Sequence, residues 1–411
     1  MEFKECYLSD ICKYRKEKIA TKELKRENYV STNNMLPEKQ GIGGLSDIPK
    51  NGNVNKFENG DVLISNIRPY FKKIWFSNKS GGSSPDVLIF QADEEKIIPE
   101  YLYYVLSQDG FFNFMVQTSK GTKMPRGDKS AIMQYKVPLY NKEYQLKIIN
   151  FLSDLDSKIQ NNKAIISNLE HLSQTLFKHW FIDFEFLNEE GKPYKSSGGE
   201  MVESELGEIP KYWSVDTLGN TVNVIDNRGK TPPLTEETFK FPIIDVKALA
   251  GNSRVIDYTN CRKFVSADTY KTWFRKGHPE LMDTLISTVG SIGELKLFYY
   301  DKGCVAQNLV TLRSKDISKL YIYEYMRSIK NDLITYNIGS VQPSIKVTHF
   351  MKKQMIIPPY LILKNYESLA LSFTQQIFSL DKENQYLTQL RDTFLPKFLS
   401  GEIEIFDGLE V

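Results

Sequence analysis

The sequence contains few cysteine and histidine residues, the two types that build most disulfide and zinc sites. The four cysteines, Cys6, Cys12, Cys261 and Cys304, form no CxxC pair, and the four histidines are scattered along the chain. Zinc sites usually show closely spaced pairs of such ligands, and disulfide frameworks need a higher density of cysteine. We therefore predict reduced thiols, with neither a disulfide framework nor a metal site.

Long apolar runs are also missing. Hydrophobic residues make up 41% and charged residues 25% of the 411 residues, which are ordinary proportions for a globular protein. No run approaches the roughly 20 apolar residues of a transmembrane helix, and the first ten residues, MEFKECYLSD, contain no apolar signal core. We expect a cytoplasmic protein with no membrane partner, and the length indicates two or three domains.

Neither sign of charge is in large excess. The formal net charge is +2 at pH 7, whereas a protein that binds nucleic acid only through its phosphates is usually more basic. Either nucleic acid is not the partner, or the basic residues are concentrated on one face. Local clusters favour the second interpretation, although a charge cluster is often only a solvated surface. One cluster comprises Lys13, Arg15, Lys16, Lys18, Lys22, Lys25 and Arg26, and another comprises Lys120, Lys123, Arg126 and Lys129.

The most prominent feature that is present is a heptad pattern between Glu143 and Phe184. Apolar side chains recur at alternating steps of four and three residues, without proline or glycine, which is typical of a coiled-coil helix. Such a helix would be roughly 60 Å long, more than one globular core requires. The predicted seam positions are Ile148, Leu152, Leu155, Ile159, Asn162, Ile166, Leu169, Leu176 and Trp180.

A second stretch near the C-terminus shows the same alternation of four and three residues. It therefore supplies a second apolar helix face on which the first can pack. We therefore expect the two helices to pair within the chain. The seam also contains the polar residues Asn162, Ser173 and Asn384, which are typical of seam positions that fix register and partner choice. The predicted seam positions of the second helix are Phe373, Ile377, Leu380, Asn384, Leu387 and Phe394.

The two halves of the chain form an internal repeat. Before each long helix, short strand-like runs such as Val62–Ser65 alternate with helical ones, so the fold class is α/β in the mixed α+β sense. The shared segments are Asp61–Ser65 with Asp283–Ser287, Gly121–Pro125 with Gly339–Pro343, and Lys136–Tyr140 with Ile356–Tyr360. Leu155-Asp156 also parallels Leu380-Asp381, and Leu172–Thr175 parallels Leu390–Thr393. Between these two anchors the second helix is seven residues shorter than the first, a difference of one heptad.

These patterns divide the chain into five segments. Each globular block is followed by a helix, and a polar Gly- and Ser-rich linker joins the two copies. The predicted segments are 1–142 for the first block, 143–187 for the first helix, 188–212 for the linker and start of the second copy, 213–362 for the second block, and 363–411 for the second helix and tail.

Motifs that indicate catalysis are weak. Gly229-Lys230-Thr231 ends like a Walker A loop, but Val224 stands where the first glycine is needed. Pro85-Asp86 followed by Glu94-Glu95-Lys96 is the strongest catalytic candidate, because a metal nuclease needs acidic ligands beside a lysine. The second half has no equivalent. We predict a protein without catalytic residues, and keep a metal-dependent DNA enzyme as an alternative.

Three longer segments resemble the DNA specificity subunit of type I restriction-modification enzymes. They are Met201–Trp213 (MVESELGEIPKYW), Thr175–Phe184 (TLFKHWFIDF) and Phe398–Ile403 (FLSGEI). The resemblance covers the whole chain and implies two target-recognition domains, each followed by a conserved spacer helix, with the two helices antiparallel.

The resemblance also implies a function. Such a subunit is not catalytic; each domain reads one half of a bipartite, asymmetric sequence in double-stranded DNA, and the helices set the gap between the halves. Two modification subunits that methylate adenine, and restriction subunits that translocate and cut DNA, assemble on it. The methyl donor, ATP and magnesium are then expected on those partners and none on this chain. The remaining alternative is a coiled-coil adaptor without a DNA role.

Candidate DNA-binding residues follow from matching the Gly-containing loop to the DNA-facing loop of that family. Arg and Lys favour guanine, and Asn and Gln favour adenine, although an ordinary loop or phosphate-contacting role is the alternative for each residue. The candidates are Thr122, Lys123, Arg126 and Lys129 in the first domain and Ser340, Gln342, Ser344 and Lys346 in the second, followed by Asn66, Arg68, Lys72, Arg228, Lys230, Thr231, Ser291, Gln307 and Asn308.

Overall fold

Two compact units make up the chain. The structure is a computed structural model that describes residues 3–121, 123–237, 239–300, 303–305, 308–339 and 341–405. Unit 1 comprises residues 1–159 and 385–411, and unit 2 comprises residues 160–384. Since both boundaries fall inside long helices, each unit contains one globular domain and segments of both helices.

The first domain is built on a four-stranded antiparallel sheet with the strand order β2-β9-β6-β7, and a second four-stranded sheet has the order β3-β5-β8-β4. Strands β1 and β10 pair separately. The strands are β1 (Lys4–Tyr7), β2 (Cys12–Tyr14), β3 (Lys18–Ala20), β4 (Tyr29–Val30), β5 (Asn53–Phe57), β6 (Val62–Ser65), β7 (Ile74–Phe76), β8 (Gly81–Ser83), β9 (Val87–Ala92) and β10 (Lys136–Leu139). The helices are α1 (Leu8–Ile11), α2 (Pro99–Leu106), α3 (Asp109–Gln117), α4 (Lys129–Ile132) and the long α5 (Lys142–Phe181).

The second domain repeats this plan after a short hairpin, with sheets ordered β14-β20-β17-β18 and β16-β15-β19 and a separate β13-β21 pair. Its strands are β11 (Met201–Ser204), β12 (Gly207–Pro210), β13 (Ser214–Thr217), β14 (Val222–Ile225), β15 (Lys240–Ile244), β16 (Phe264–Ser266), β17 (Asp283–Ser287), β18 (Leu295–Phe298), β19 (Cys304–Val305), β20 (Leu309–Ser314) and β21 (Gln354–Ile357). Its helices are α6 (Leu218–Thr221), α7 (Ala267–Thr272), α8 (Lys319–Ser328), α9 (Lys330–Thr335), α10 (Val347–Phe350) and the long α11 (Tyr360–Ser400).

The two main sheets have the same register, which confirms the predicted duplication. Ile64 pairs with Leu88 between β6 and β9, and Ile286 pairs with Val310 between β17 and β20. Every residue of β6 and of β17 is buried, because these central strands are covered on both faces. This explains why their apolar residues stand next to each other and do not alternate with polar ones, as in Val62–Ile64 and Leu285–Ile286.

The two long helices have nearly equal lengths, 40 residues in α5 and 41 in α11. The predicted difference of one heptad between the anchors is therefore not a difference in overall helix length. Helix α11 begins at Tyr360, 20 residues before Leu380, whereas α5 begins 13 residues before Leu155, so the shared Leu-Asp pairs do not mark corresponding turns. Although both helices are long, neither they nor any other helix in the described part of the chain is apolar enough to cross a membrane.

Helix α5 ends at Phe181, three residues before the predicted end at Phe184. The backbone N–H groups of Ile182 and Asp183 both donate to the carbonyl of Lys178 at 2.9 Å, and Phe184 adopts a left-handed φ of 61°. A left-handed residue after the last turn is a common way to end a helix. Phe184 is four residues after Trp180 and is buried. The apolar spacing therefore continues past the last residue of the helix.

Within unit 1, the segments of the two long helices are antiparallel. The ring of Phe151 packs on Phe394 and Phe398, with centroid distances of 5.6 and 5.2 Å. Further along α5, Leu155 and Ile159 share a buried cluster with Leu387. Residue numbers thus rise along α5 while those of its partners fall, as expected for antiparallel packing.

Within unit 2, the helix segments are antiparallel as well. Asn162 donates its side-chain N–H to Glu383 at 2.7 Å, and the ring of Trp180, near the end of α5, lies 6.1 Å from that of Tyr366 near the start of α11. The predicted seam positions are buried or half-buried throughout. Buried are Ile148, Leu152, Leu155, Ile159, Asn162, Ile166, Trp180, Ile377, Asn384 and Leu387, and half-buried are Leu169, Leu176, Phe373, Leu380 and Phe394.

A layer of polar side chains joins each domain to its helix segments. In unit 1, Tyr104 of α2 donates to Asp156 of α5 at 3.0 Å, and Arg391 of α11 donates to the same carboxylate at 2.7 Å. Burial raises the pKa of Tyr104, and the neighbouring Asp156 raises it further, so the phenol remains a hydrogen-bond donor.

In unit 2, the polar layer is larger and is centred on Arg254, which is fully buried. Its guanidinium donates to Glu170 of α5 at 3.0 Å, to Glu324 of α8 at 3.0 Å and to Thr374 of α11 at 2.6 Å. Ser173 of α5 donates to Glu324 at 2.7 Å. Ser173, one of the predicted polar seam positions, therefore contacts helix α8 of the second domain.

Candidate nucleic-acid interface

The Gly-containing loop of the first domain, residues 119–128, is held against the turn that follows β6. The N–H of Arg68 donates to the carbonyl of Pro125 at 2.9 Å, and the N–H of Gly127 donates to the carbonyl of Asn66 at 3.2 Å. Asn66 in turn donates its backbone N–H to Asp86 at 2.8 Å. These bonds bring the predicted loop and the predicted Asn66-Arg68 segment together in one surface.

The second domain holds its loop, residues 338–345, in the same way. The N–H of Gly290 donates to the carbonyl of Pro343 at 2.9 Å, and Ile345 donates to Thr288 at 2.9 Å. Thr288 donates its backbone N–H to Asn308 at 2.8 Å. Asn66, Arg68 and Asp86 therefore correspond to Thr288, Gly290 and Asn308, and Arg126 corresponds to Ser344.

Glycines permit the close packing of both loops. A Cβ at Gly127 would lie 2.8 Å from the side-chain oxygen of Asn66 and 2.9 Å from Ile132. A Cβ at Gly339 would overlap the carbonyl oxygen of Gln342. Both contacts are closer than real side-chain carbons allow, so these glycines fix the shape of the loops that the sequence repeat identified.

The basic residues of the first loop face solvent, and two of them pair with acids. Arg126 is 57% exposed and forms an ion pair with Asp86 at 3.1 Å. Lys120 pairs with Asp128 at 2.5 Å, and this contact, together with two backbone hydrogen bonds, lowers the pKa of Asp128. Lys123 and Lys129 are exposed. Thr122, also predicted here, lies outside the described residues.

The turn after β6 presents its three predicted residues differently. Arg68 is exposed and has a left-handed φ of 50°. Lys72 is half-buried and pairs with Asp109 at 2.9 Å. Asn66 is 7% exposed, and its side-chain oxygen has no hydrogen-bond partner among the described residues. A buried amide is poorly placed for contact with a base, and its visible contribution is to hold the loop through its backbone.

In the second domain, Arg228 is the predicted residue with the most defined geometry. Its Nε and Nη2 atoms donate to the two oxygens of Asp226 at 2.8 and 2.6 Å, and Nη1 donates to Thr288 Oγ1 at 3.1 Å. Partial burial opposes ionisation of Asp226, but hydrogen bonds from the side chain and backbone of Arg228 outweigh it and lower the carboxyl pKa.

The other predicted residues of the second domain are spread around the same loop. Exposed residues are Lys230, Thr231, Ser291, Gln342 and Lys346, and half-buried residues are Asn308 and Ser344. Lys346 precedes α10 as Lys129 opens α4. Gln307 and Ser340 lie outside the described residues.

Two features of this surface were not predicted from the sequence. Val341, at the tip of the second loop, is 98% exposed, and a single exposed apolar residue gives no sequence signal. Asp226 and its bidentate contact to Arg228 were also missed. The spacing Asp-x-Arg directly after a strand was the available signal, because it allows a side-chain pair across a tight turn.

The alternative metal site is not assembled. Asp86 precedes β9 and Glu94 follows it, so the six-residue strand separates the two carboxylates by roughly 20 Å. Lys96 instead pairs with Asp93 at 2.8 Å. In the part of the chain that the structure describes, no three His, Cys, Asp or Glu side chains are grouped to hold a metal ion.

Comparison with known proteins agrees with this architecture. Residues 1–171 and 210–376 match the family model described as the type I restriction modification DNA specificity domain. The specificity subunit of the type I restriction enzyme MjaIX from Methanocaldococcus jannaschii is 28% identical over 318 residues, covering 76% of this chain and 71% of that protein. The HindI specificity subunit from Haemophilus influenzae is 21% identical, covering 98% of this chain and 100% of that protein.

A solved structure supports the fold. The crystal structure of the type I restriction-modification system S subunit from M. genitalium aligns with a TM-score of 0.54 and 15% sequence identity, covering 99% of this chain and 97% of that one. The two family-model matches together span well over half of the sequence. This chain therefore belongs to the DNA specificity family of type I restriction-modification systems.

Proposed function

We propose that this chain reads a bipartite, asymmetric DNA sequence, one half-site with each domain. As a member of its family it is a non-catalytic subunit that recognises DNA targets for a type I restriction-modification complex. The finer proposal depends on one observation, the pair of corresponding loops. Their backbone contacts match, whereas Arg126 in one loop is replaced by Ser344 in the other. One scaffold with two different surfaces suits two different half-sites.

The exposed loop residues are the proposed contacts to DNA. In the first domain, Lys123, Arg126 and Lys129 supply cations, which suit guanine or phosphate. In the second domain, Gln342 supplies the paired donor and acceptor that suit adenine. The different chemistry of the two loops predicts two half-sites of different sequence.

The long helices are proposed to set the gap between the half-sites. Helices α5 and α11 each contribute a segment to both units, and these segments are antiparallel within each unit. A paired helix changes its length only in whole heptads if the seam is to be kept. A defined helix length would therefore give a defined gap.

The partners in this proposal supply the chemistry. Two modification subunits would methylate adenine in each half-site, and restriction subunits would translocate and cut the DNA. The methyl donor, ATP and magnesium would bind to those subunits. This division of tasks is supported by the family, because its members are specificity subunits and are not catalytic.

The test is co-expression of the chain with its modification subunit in a host without DNA methylation, followed by single-molecule sequencing for methylated adenine. We expect one bipartite, asymmetric motif, modified in both half-sites. A stable complex that produces no new methylation, or a motif with one continuous sequence, would contradict the proposal. A chain that lacks salt-sensitive DNA binding would favour the adaptor alternative.

A further inference from the structure

Each domain carries one arginine paired with an aspartate at the same turn of the main sheet. In the first domain, Arg126 pairs with Asp86 at 3.1 Å, and its backbone forms a bridge with Ile67 in the turn after β6. In the second domain, Arg228 pairs with Asp226 and donates to Thr288 in the turn after β17. Both guanidinium groups therefore lie beside corresponding turns.

The two pairs do not come from corresponding positions in the repeat. Arg126 belongs to the Gly-containing loop and Asp86 precedes β9, whereas Asp226 and Arg228 follow β14. The residue at the position of Arg126 is Ser344, and the residue at the position of Asp86 is Asn308. An arginine–aspartate ion pair thus lies beside both turns but comes from different segments, with one N···O contact at Arg126 and two hydrogen bonds at Arg228. Duplication of the scaffold alone does not explain this.

Folding stability does not account for the first pair. The Arg126 and Asp86 side chains are 57% and 35% exposed, and an ion pair this exposed contributes little to folding. The Arg228 and Asp226 side chains are 26% and 33% exposed and form two hydrogen bonds, so this pair also stabilises its turn. A carboxylate next to an arginine repels DNA phosphates, so it opposes non-specific binding. Asp226 holds the plane of the Arg228 guanidinium through two bonds, and Asp86 restricts the position of the Arg126 guanidinium through one contact.

The geometry at Arg228 leaves a suitable pair of donors. A guanidinium has five N–H groups. Asp226 accepts one from Nε and one from Nη2, and Thr288 accepts one from Nη1. One N–H on Nη1 and one on Nη2 remain. Guanine presents two acceptors in the major groove, O6 and N7, and a bidentate arginine is their usual partner.

We propose that Arg126 and Arg228 each read a guanine in their half-site, and that Asp86 and Asp226 are positioning residues that fix the two guanidinium groups. This inference depends on the proposed function in DNA recognition and specifies the base that each domain reads. It predicts a guanine in both halves of the target.

The experiment measures binding of the chain, assembled with its modification subunits, to duplexes that carry 7-deazaguanine at one guanine at a time. This analogue lacks the N7 acceptor. We expect one position in each half-site at which it weakens binding by about tenfold. The effect in the second half-site should be lost in Arg228→Lys, and that in the first half-site should be lost in Arg126→Lys.

Aspartate variants separate positioning from general electrostatics. Asp226→Asn should reduce the 7-deazaguanine effect in the second half-site to less than about threefold and leave the first half-site unchanged. Asp86→Asn should do the opposite. The matched control is Asp316→Asn, which removes an exposed charge from the second domain. It should raise affinity for non-target DNA without changing the 7-deazaguanine effect.

Three results would overturn the inference: a half-site without guanine, wild-type binding that is insensitive to 7-deazaguanine at every position, or an Asp226→Asn protein that keeps the full effect. Equal loss of affinity for all sequences in Arg228→Lys would make this residue a phosphate contact. Failure of the proposed function is distinguishable, because the wild-type complex would then bind target and random duplexes equally.

Discussion

At the residue scale, Arg254 shows how a buried charge can connect a domain to its helices. It is fully buried, and its guanidinium contacts Glu170, Glu324 and Thr374. Burial favours the neutral form of an arginine, but the two carboxylates outweigh it and raise the pKa of Arg254. The cation is thus retained, and its neighbours depend on it for neutralisation.

Replacing Arg254 with methionine should strongly destabilise unit 2. The change leaves Glu170 and Glu324 buried, with Arg327 as their remaining ion-pair partner among the described residues. Removal of one partner from a buried ion pair typically costs about 3–5 kcal/mol. Urea denaturation followed by tryptophan fluorescence measures this, because three of the four tryptophans, Trp180, Trp213 and Trp273, belong to unit 2. The exposed Arg275→Met is the control; a loss of less than about 1 kcal/mol from Arg254→Met would contradict the expectation.

The same cluster predicts a dependence of stability on pH. Burial opposes ionisation of Glu170, but Arg254 and Arg327 outweigh it and hold the carboxyl pKa below its ordinary value. A carboxyl group whose pKa is lowered on folding contributes stability above its unfolded pKa of about 4.3, and this contribution is lost as the pH falls through the folded pKa.

Wild type should therefore be more stable than Glu170→Gln at neutral pH, and the difference should shrink below about pH 4.3 as Glu170 is protonated. Urea titrations of both proteins across this range provide the test. A difference that is constant with pH would mean that Glu170 acts through its shape or hydrogen bonds and not through its charge.

At the element scale, the first loop depends on Gly127. An added Cβ would meet the Asn66 side chain at 2.8 Å, so Gly127→Ala should displace the loop at a cost of about 1–2 kcal/mol, comparable to overpacking of a core. Binding to the target should fall about tenfold, while base preference in the second half-site stays unchanged. The control is Gly110→Ala, whose new Cβ would lie 3.5 Å from its nearest neighbour, Tyr135. Altered preference in the second half-site would argue against two independent loops.

The paired helices permit a direct test of gap setting. Seven residues inserted after Ile159 and seven after Asn384 would lengthen both helices where the two units divide and would keep the heptad phase. The added rise is about 10 Å, or about three base pairs of DNA. Methylome sequencing should show the same half-sites with a gap longer by about three base pairs. An unchanged gap, or altered half-sites, would contradict the role of the helices.

At the scale of the whole molecule, periodicity and repetition made most of the fold predictable. The apolar run Val62–Ser65 became β6 without a change of bounds, and the heptad pattern gave α5 to within a few residues at each end. Such signals are local. The equal lengths of α5 and α11 were not predictable from Leu155 and Leu380, because two short matching sequence segments can lie at different turns of a regular helix.

The candidate site was predictable only in outline. The repeat located both loops because each needs a glycine at the same place: Gly121 has a left-handed φ of 92°, and a Cβ at Gly339 would overlap Gln342. It could not show that Asn66 is buried, or that Arg228 reaches Thr288 across 60 residues of sequence at 3.1 Å. Contacts of this kind depend on how strands are ordered in the sheet, and that order leaves no periodic trace in the chain.

The two polar layers also bear on how genes of this architecture can recombine. A rearrangement that carried the first domain alone onto the helix segments of the second would remove Arg254 and Arg327, which now neutralise Glu170. A buried carboxylate would be left without a cation. A new target half can therefore be inherited intact only when a domain travels with both of its helix segments, which are far apart in the gene although they belong to one compact unit.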